Sequence, residues 1–360
     1  MSASFASHRG VRSRPVAIAQ IITGIAAAMA LLYFLAGILI PLVIAFVLVV
    51  LVDAVVTFIN ARWPGAPKWV VSAVAGLVVI LSASGGMFVL AQGAVQVVQQ
   101  GPALIDRIDV LVRNMSQSMH LKEPLGLQAL VGSINIPHLA GAVLETVQGI
   151  AGAILLIVIY FGFMVAGRRR ISRKIDAVAG TSERKTAIKH IIERITADIR
   201  TYLWVQAVTG VFLASAAAAV MLIVGLNNVL FWTVIFFLLT FIPNIGVTIG
   251  SIAPALFALL QFPTLWQGVV IFAVIQAAAF IVGNLIYPRM QADTQNIDPV
   301  TTIVALSLWT FLWGIPGAFL AVPMTLMLMM AFAQFEATRW VSAALSNDGK
   351  PTFRKDGPGQ

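Results

Sequence analysis

The residues of this chain that could do chemistry are suited to binding rather than to making or breaking bonds. The run "FVLVVLVDAVVTFIN" holds Asp53, its one acidic residue in otherwise apolar surroundings. A carboxylate in hydrocarbon is costly, so its presence there marks a candidate proton or cation site, and Asp53 is the ion-coupling candidate. Gln206, Asn227, Asn228, Asn244, Gln276 and Asn284 lie in or beside other apolar runs. Each amide offers donors and acceptors without fixed charge, which suits a neutral, hydroxyl-rich solute and equally suits a hydrogen bond between helices. A third set is backbone. "LLTFIPNIGVTIGSIAPALFALL" carries Pro243, Asn244, Gly246, Gly250 and Pro254, and "WGIPGAFLAVP" carries Gly314, Pro316, Gly317 and Pro323. Proline lacks the helical N–H and disfavours helix at the residue before it, so both stretches free backbone groups that a plain membrane helix would hide.

Paired carboxylates, an HExxH metal pair, a GxSxG elbow and a GxxxxGK[ST] loop are absent from the sequence. The chain is therefore not expected to be an enzyme, nor to drive transport with ATP on its own. It has no cysteine, which excludes disulfides, thiolate metal sites and cysteine nucleophiles. His8, His120, His138 and His190 show no ligand spacing, so neither metal nor cofactor is expected.

The elements that must position these residues are membrane helices. Of the 360 residues, 59% are hydrophobic and 10% charged, far from the composition of a soluble domain. Apolar runs of roughly 20 residues, enough for a helix to cross about 30 Å of hydrocarbon, recur along the chain. They are continuously apolar rather than alternating, which points to an all-α polytopic protein and not to a barrel. Spans are expected at roughly 16–36, 38–60, 69–92, 147–167, 203–224 and 266–287.

Two further stretches, 229–261 and 300–335, are too long for one crossing, since the first alone would make a helix of about 50 Å. Both contain the proline and glycine breaks. Each either crosses once as a kinked, tilted helix or enters and leaves on one side as a re-entrant hairpin, so six to eight transmembrane helices are expected. As hairpins, the two would enter from opposite faces and place helix ends near the midplane, where discontinuous helices bind polar solutes in secondary transporters. Pro243, Asn244, Gly246, Gly250, Asn284, Gly314, Pro316 and Gly317 form the expected solute-binding set. Gly246 and Gly250, four apart, could instead simply let two helices approach closely.

The net charge of +9 does not point to nucleic acid, because the basic residues sit in blocks beside apolar spans with no aromatic-basic module. Arg168, Arg169, Arg170, Arg173 and Lys174 begin a basic connection over 168–202, which the positive-inside rule assigns to the cytoplasm. The amphipathic helical region 93–146, nearly balanced in charge, is then external. The tails 1–15 and 336–360 and the residues Arg62 and Lys68 fall on the cytoplasmic side. The first apolar stretch exceeds a signal-peptide core and reads as an uncleaved helix. Ser182 as N-cap, followed by Ile188, Ile191, Ile192, Ile195 and Ile199, predicts a helix at the inner surface. The C-terminal transmembrane core occupies 203–335.

The stretches "FIPNIGVTIGSIAPALFALL", "GNLIYPRM" and "IDPVTTIVALSLWTFLWGIPGAFLAVPMTLMLM" resemble the AI-2E family of bacterial inner-membrane transporters, with the order of elements fitting over about 20–335. Pro243, Gly246, Gly250 and Pro254 match its first signature, Asn284 and Pro288 its middle one, and Pro299, Gly314, Gly317 and Pro323 its last. Tyr287 stands where many members carry an acid, and "QADTQNIDP" departs from the commoner histidine-proline form; both departures bear on ion coupling and on the substrate. The resemblance implies a permease of the inner membrane, with roles in quorum sensing, that exports a small polar signalling molecule or metabolite of the autoinducer-2 type. It further implies assembly into homo-oligomers such as pentamers, with sodium–proton antiport as the alternative activity. A scaffold that transports nothing is a third reading, but it gives no reason for two matched broken segments. The expected partners are the bilayer, a small polar solute and further copies of the chain.

Overall fold

A computed structural model describes residues 14–63, 67–101, 152–167, 180–243, 245–286 and 297–347, with positions 65, 106, 107, 110, 149 and 349 besides. Asn244, Tyr287, Pro288, most of the amphipathic region, the arginine-rich start of the basic connection and both tail ends lie outside the described residues. The described chain is helical: α1 Arg14–Phe34, α2 Ala36–Arg62, α3 Lys68–Gln99, α4 Gly152–Gly167, α5 Ser182–Val224, α6 Val229–Thr240, α7 Gly246–Gln261, α8 Trp266–Ile281, α9 Pro299–Ala333 and α10 Arg339–Leu345. A π-turn, Val282–Ile286, continues α8.

The expected surface helix and the span at 203–224 are one helix, α5, of 43 residues. Nothing between Ser182 and Thr209 breaks it, since the first glycine is Gly210 and no proline occurs. Its apolar part begins at Thr196. The helix stops at Gly225, whose φ of 80° lies in the left-handed region. There the Leu226 N–H donates to Met221 O and the Gly225 N–H to Leu222 O, the paired bonds of a Schellman cap.

Both over-long stretches fold back on themselves. In the first, α6 has 12 residues and α7 has 16, about 18 and 24 Å, each too short to cross the hydrocarbon alone. A Cβ at Gly250 would lie 2.7 Å from the Phe236 ring and 3.5 Å from Leu239 Cβ, and Trp232 packs on Phe257 with ring centroids 5.2 Å apart. These pairs are centred within two residues of Pro243, as the arms of an antiparallel helical hairpin turning there must be. Its base is closed by Gln261, which donates to Gly225 O at 3.0 Å and accepts from Asn227 N at 2.7 Å. The stretch thus begins and ends at the C-terminal end of α5, as re-entry requires. Arg107, downstream of α3, reaches the same end and donates to Phe262 O.

The helical run of α9 is interrupted at Gly314, with φ 64° and ψ −140°, so it consists of two arms, about 22 and 28 Å long. Ile297 pairs with Ser346 in an antiparallel bridge, and Asp298 N–H donates to Leu345 O. A straight helix of 35 residues would separate Asp298 from Ala333 by about 52 Å. The 13 residues from Ala333 to Ser346 include α10 and reach only about 30 Å, so the arms must fold back. The double variant Ile297→Cys/Ser346→Cys, in a chain with no other cysteine, is therefore expected to form a disulfide on mild oxidation. Bridged residues have Cα atoms about 5 Å apart, within disulfide range; a straight crossing would leave both thiols free to label.

The two hairpins sit on opposite halves of α5. The second, with parts of α1 and α2, packs with Ile199, Tyr202 and Leu203 of α5 and meets the first through Phe237, Phe241 and Ile242 near its tip. The rest of the first packs with α8 and with Leu213, Ala214, Ala217, Val220 and Met221. α2 packs against α5: Phe58 packs on Trp204, and Arg200 donates to Thr57. α3 flanks α6 closely enough that Gly93 lies against the Phe231 ring.

Candidate functional site

The tip of the first hairpin meets the return arm of the second, while the second break, at Gly314, is exposed. Phe241 at the first tip packs on Phe319, five residues beyond Gly314, with ring centroids 4.9 Å apart, and on Phe237 at 5.4 Å. The first tip is built by tightening the end of α6, where Phe241 and Ile242 donate to carbonyls three residues back. Pro243 can donate nothing, and Ile245 N–H turns back to Pro243 O at 2.7 Å. That leaves the last carbonyls of α6 to be satisfied from elsewhere. They are satisfied by α5: Gln206 Nε2 donates to Thr240 O, and Tyr202 Oη donates to Phe241 O at 3.4 Å.

The second tip is held by indoles. Trp309 and Trp313 lie 5.2 Å apart, Trp309 Nε1 donates to Thr325 Oγ1 at 3.2 Å, and Trp313 Nε1 donates to Leu32 O at 2.9 Å. Buried indole N–H groups normally find such partners, and here they tie the tip to its own return arm and to α1. Each tip joins one half-helix C-terminus, with its partial negative charge, to one half-helix N-terminus, with its partial positive charge. Together they offer acceptors and donors without a net charge, which matches a neutral solute bearing hydroxyl and carbonyl groups.

The solute-binding set divides on this geometry. Pro243, Gly314 and Pro316 lie at the tips, and Gly317 is buried beside the second. Gly246 and Gly250 face the opposite arm: a Cβ at Gly246 would overlap the Leu239 carbonyl, so these glycines set the spacing of the hairpin. Gly317 does the same in the second hairpin, against the Trp309 carbonyl. Asn284 is exposed and donates to Phe280 O of its own helix at 2.8 Å, bridging the π-turn. Gln276 accepts from Ser251 Oγ at 3.4 Å, a contact between α8 and α7. Asp53 is half-buried on α2, one turn before Thr57, whose hydroxyl donates to Asp53 O and accepts from Arg200.

Sequence reasoning left Tyr202, Phe241, Phe319, Trp309 and Trp313 out of the site, and placed Gln206 only among the general amides. A signal for part of this was present: Tyr202, Gln206 and Gly210 recur at four-residue spacing, which puts a donor, a donor and a gap on one helix face. The aromatic residues gave none, because rings in apolar runs look like ordinary lipid-facing or core residues.

The sequence is similar to several transport proteins. The "Putative transport protein YhhT" of Escherichia coli (strain K12) is 22% identical over 329 residues, covering 89% of this chain and 91% of that protein. "Putative transport protein YueF" of Bacillus subtilis (strain 168) is 24% identical over 306 residues, 81% of this chain and 82% of that protein. The "AI-2 transport protein TqsA" of Escherichia coli (strain K12) is 23% identical over 159 residues, 44% of this chain and 46% of that protein. The family model described as AI-2E family transporter matches residues 22–337, which takes in both hairpins and the helices that hold them. This chain therefore belongs to the AI-2E family of transporters.

Proposed function

We propose that the protein is a secondary transporter that exports a small neutral polar solute of the autoinducer-2 type across the bacterial inner membrane, with the solute held where the tip of the first hairpin meets the second hairpin. The observation that carries this reading is the meeting of Phe241 and Phe319, which joins two discontinuous segments seated on opposite halves of α5. One relative's name supplies the solute class, and the uncharged character of the tips is compatible with it. The protein acts without catalysis, as a homo-oligomer with both termini and the 168–202 connection in the cytoplasm. The test is uptake of AI-2 into everted membrane vesicles. Vesicles carrying the protein are expected to accumulate it faster than vesicles without it, and equal rates would refute export of this solute.

Sodium–proton antiport is the second reading, favoured by one observation: Asp53 is a half-buried carboxylate within the apolar helix α2. It predicts sodium-dependent proton movement in the same vesicles, lost on Asp53→Asn. Wild-type vesicles without any such movement would end it.

A further inference from the structure

We propose that the Tyr202–Gln206–Gly210 face of α5 is a latch for the first hairpin, whose two hydrogen bonds hold the tip until hydroxyl groups of the solute replace them. The inference rests on the reading of the tips as the solute site. Three positions on one helix face act on one target. Tyr202 and Gln206, 4% and 6% exposed, donate to the carbonyls of Phe241 and Thr240. Gly210, one turn further, makes the room: a Cβ there would lie 2.7 Å from Thr240 Oγ1 and 3.2 Å from the Phe237 ring. Without a Cβ at 210, the end of α6 can settle close enough for both donors to reach it.

The captured groups are the carbonyls that the end of a helix leaves without partners inside the helix. In hydrocarbon they cannot stay bare, so any movement of the tip away from α5 needs substitute donors. A solute rich in hydroxyl groups supplies them, and a solute with acceptors only does not. The base of the same hairpin is closed separately by Gln261, so release at α5 frees the tip while the hairpin stays anchored. Solute selection and tip movement are then one event: the donors that recognise the carbonyls are the donors that displace the latch.

The test uses the full chain in detergent, which has no cysteine of its own. Thr240→Cys, which keeps the backbone carbonyl, places a thiol at the latched end of α6, where Thr240 is 3% exposed, and Trp340→Cys on α10, at a position 70% exposed, serves as the control. Maleimide labelling is followed with the latch intact and with Tyr202→Phe or Gln206→Met. Loss of one net hydrogen bond is expected to speed labelling at Thr240→Cys about fivefold, and more in the double variant, with the rate at Trp340→Cys unchanged. An unchanged rate at the tip would overturn the latch. So would an equal rise at both positions, which marks general loosening. No solute is present in this measurement, so its failure leaves the AI-2 uptake result standing, and failed uptake leaves the labelling result standing.

Discussion

Gly246→Ala is expected to open the first hairpin and to abolish solute flux. The added methyl would overlap the carbonyl oxygen of Leu239 and crowd Ile242 Cβ at 3.3 Å. Neither can yield cheaply: the Leu239 carbonyl is backbone and accepts the Ile242 N–H at 2.9 Å, the bond that tightens the end of α6. Overpacking of a close-fitting interior usually costs 1–3 kcal/mol, and against fixed backbone about 3 kcal/mol or more is expected. Moving the arms apart to accommodate the methyl pulls Thr240 and Phe241 from α5, so the same substitution also removes two hydrogen bonds. Gly76→Ala is the control. It lies within α3 with nothing within 4 Å of its added Cβ, so it should be neutral or stabilise the helix by about 0.5–1 kcal/mol. Thermal unfolding of the purified variants separates the two outcomes, and a Gly246→Ala protein as stable as Gly76→Ala would contradict the hairpin geometry.

The second large effect belongs to the second hairpin. Gly317→Ala places its methyl on the carbonyl of Trp309 and 3.0 Å from Trp313 Cβ. Those two tryptophans carry the tip's ties to Thr325 and to Leu32, so relief of the clash loosens both. A cost of about 3 kcal/mol is expected, again with loss of flux. Gly314→Ala should be milder. Its φ of 64° and ψ of −140° lie where essentially only glycine is found, at about 1–3 kcal/mol, but nothing lies within 4 Å of the added atom. The order in unfolding measurements is therefore Gly317→Ala worse than Gly314→Ala, and the reverse would mean that conformation rather than close approach limits this tip.

The division between what could be read and what could not follows from the range of each interaction. Hydrophobic runs and Pro243, Gly314 and Pro316 act locally, so the spans and the existence of two breaks were legible in the residues themselves. Whether a broken segment crosses or turns back is decided by partners far away in the chain: Gln261 closing on Gly225 for one, Ser346 on Ile297 for the other. No local pattern contains that information. α5 was misdivided for a related reason, because a change from charged to apolar residues after Arg200 looks like a boundary although the backbone meets no breaker there. Within the site, glycines at 246 and 250 announced close approach without announcing to what. Tyr202 and Gln206 looked like any polar residues in a membrane helix, until the carbonyls of Thr240 and Phe241 were placed beside them.

On the proposed function, transport runs through the contact between the first tip and the return arm of the second hairpin. Phe241→Cys/Phe319→Cys, in the otherwise cysteine-free chain, tests it by joining the two hairpins there with an oxidant or a short thiol-reactive linker, across a contact that is 4.9 Å between ring centroids. AI-2 uptake into everted vesicles is measured before cross-linking, after it, and after reduction. Uptake is expected in the reduced protein, lost when the two hairpins are joined and restored when the bond is broken; uptake that continues unchanged in fully cross-linked protein would contradict a solute path through this contact.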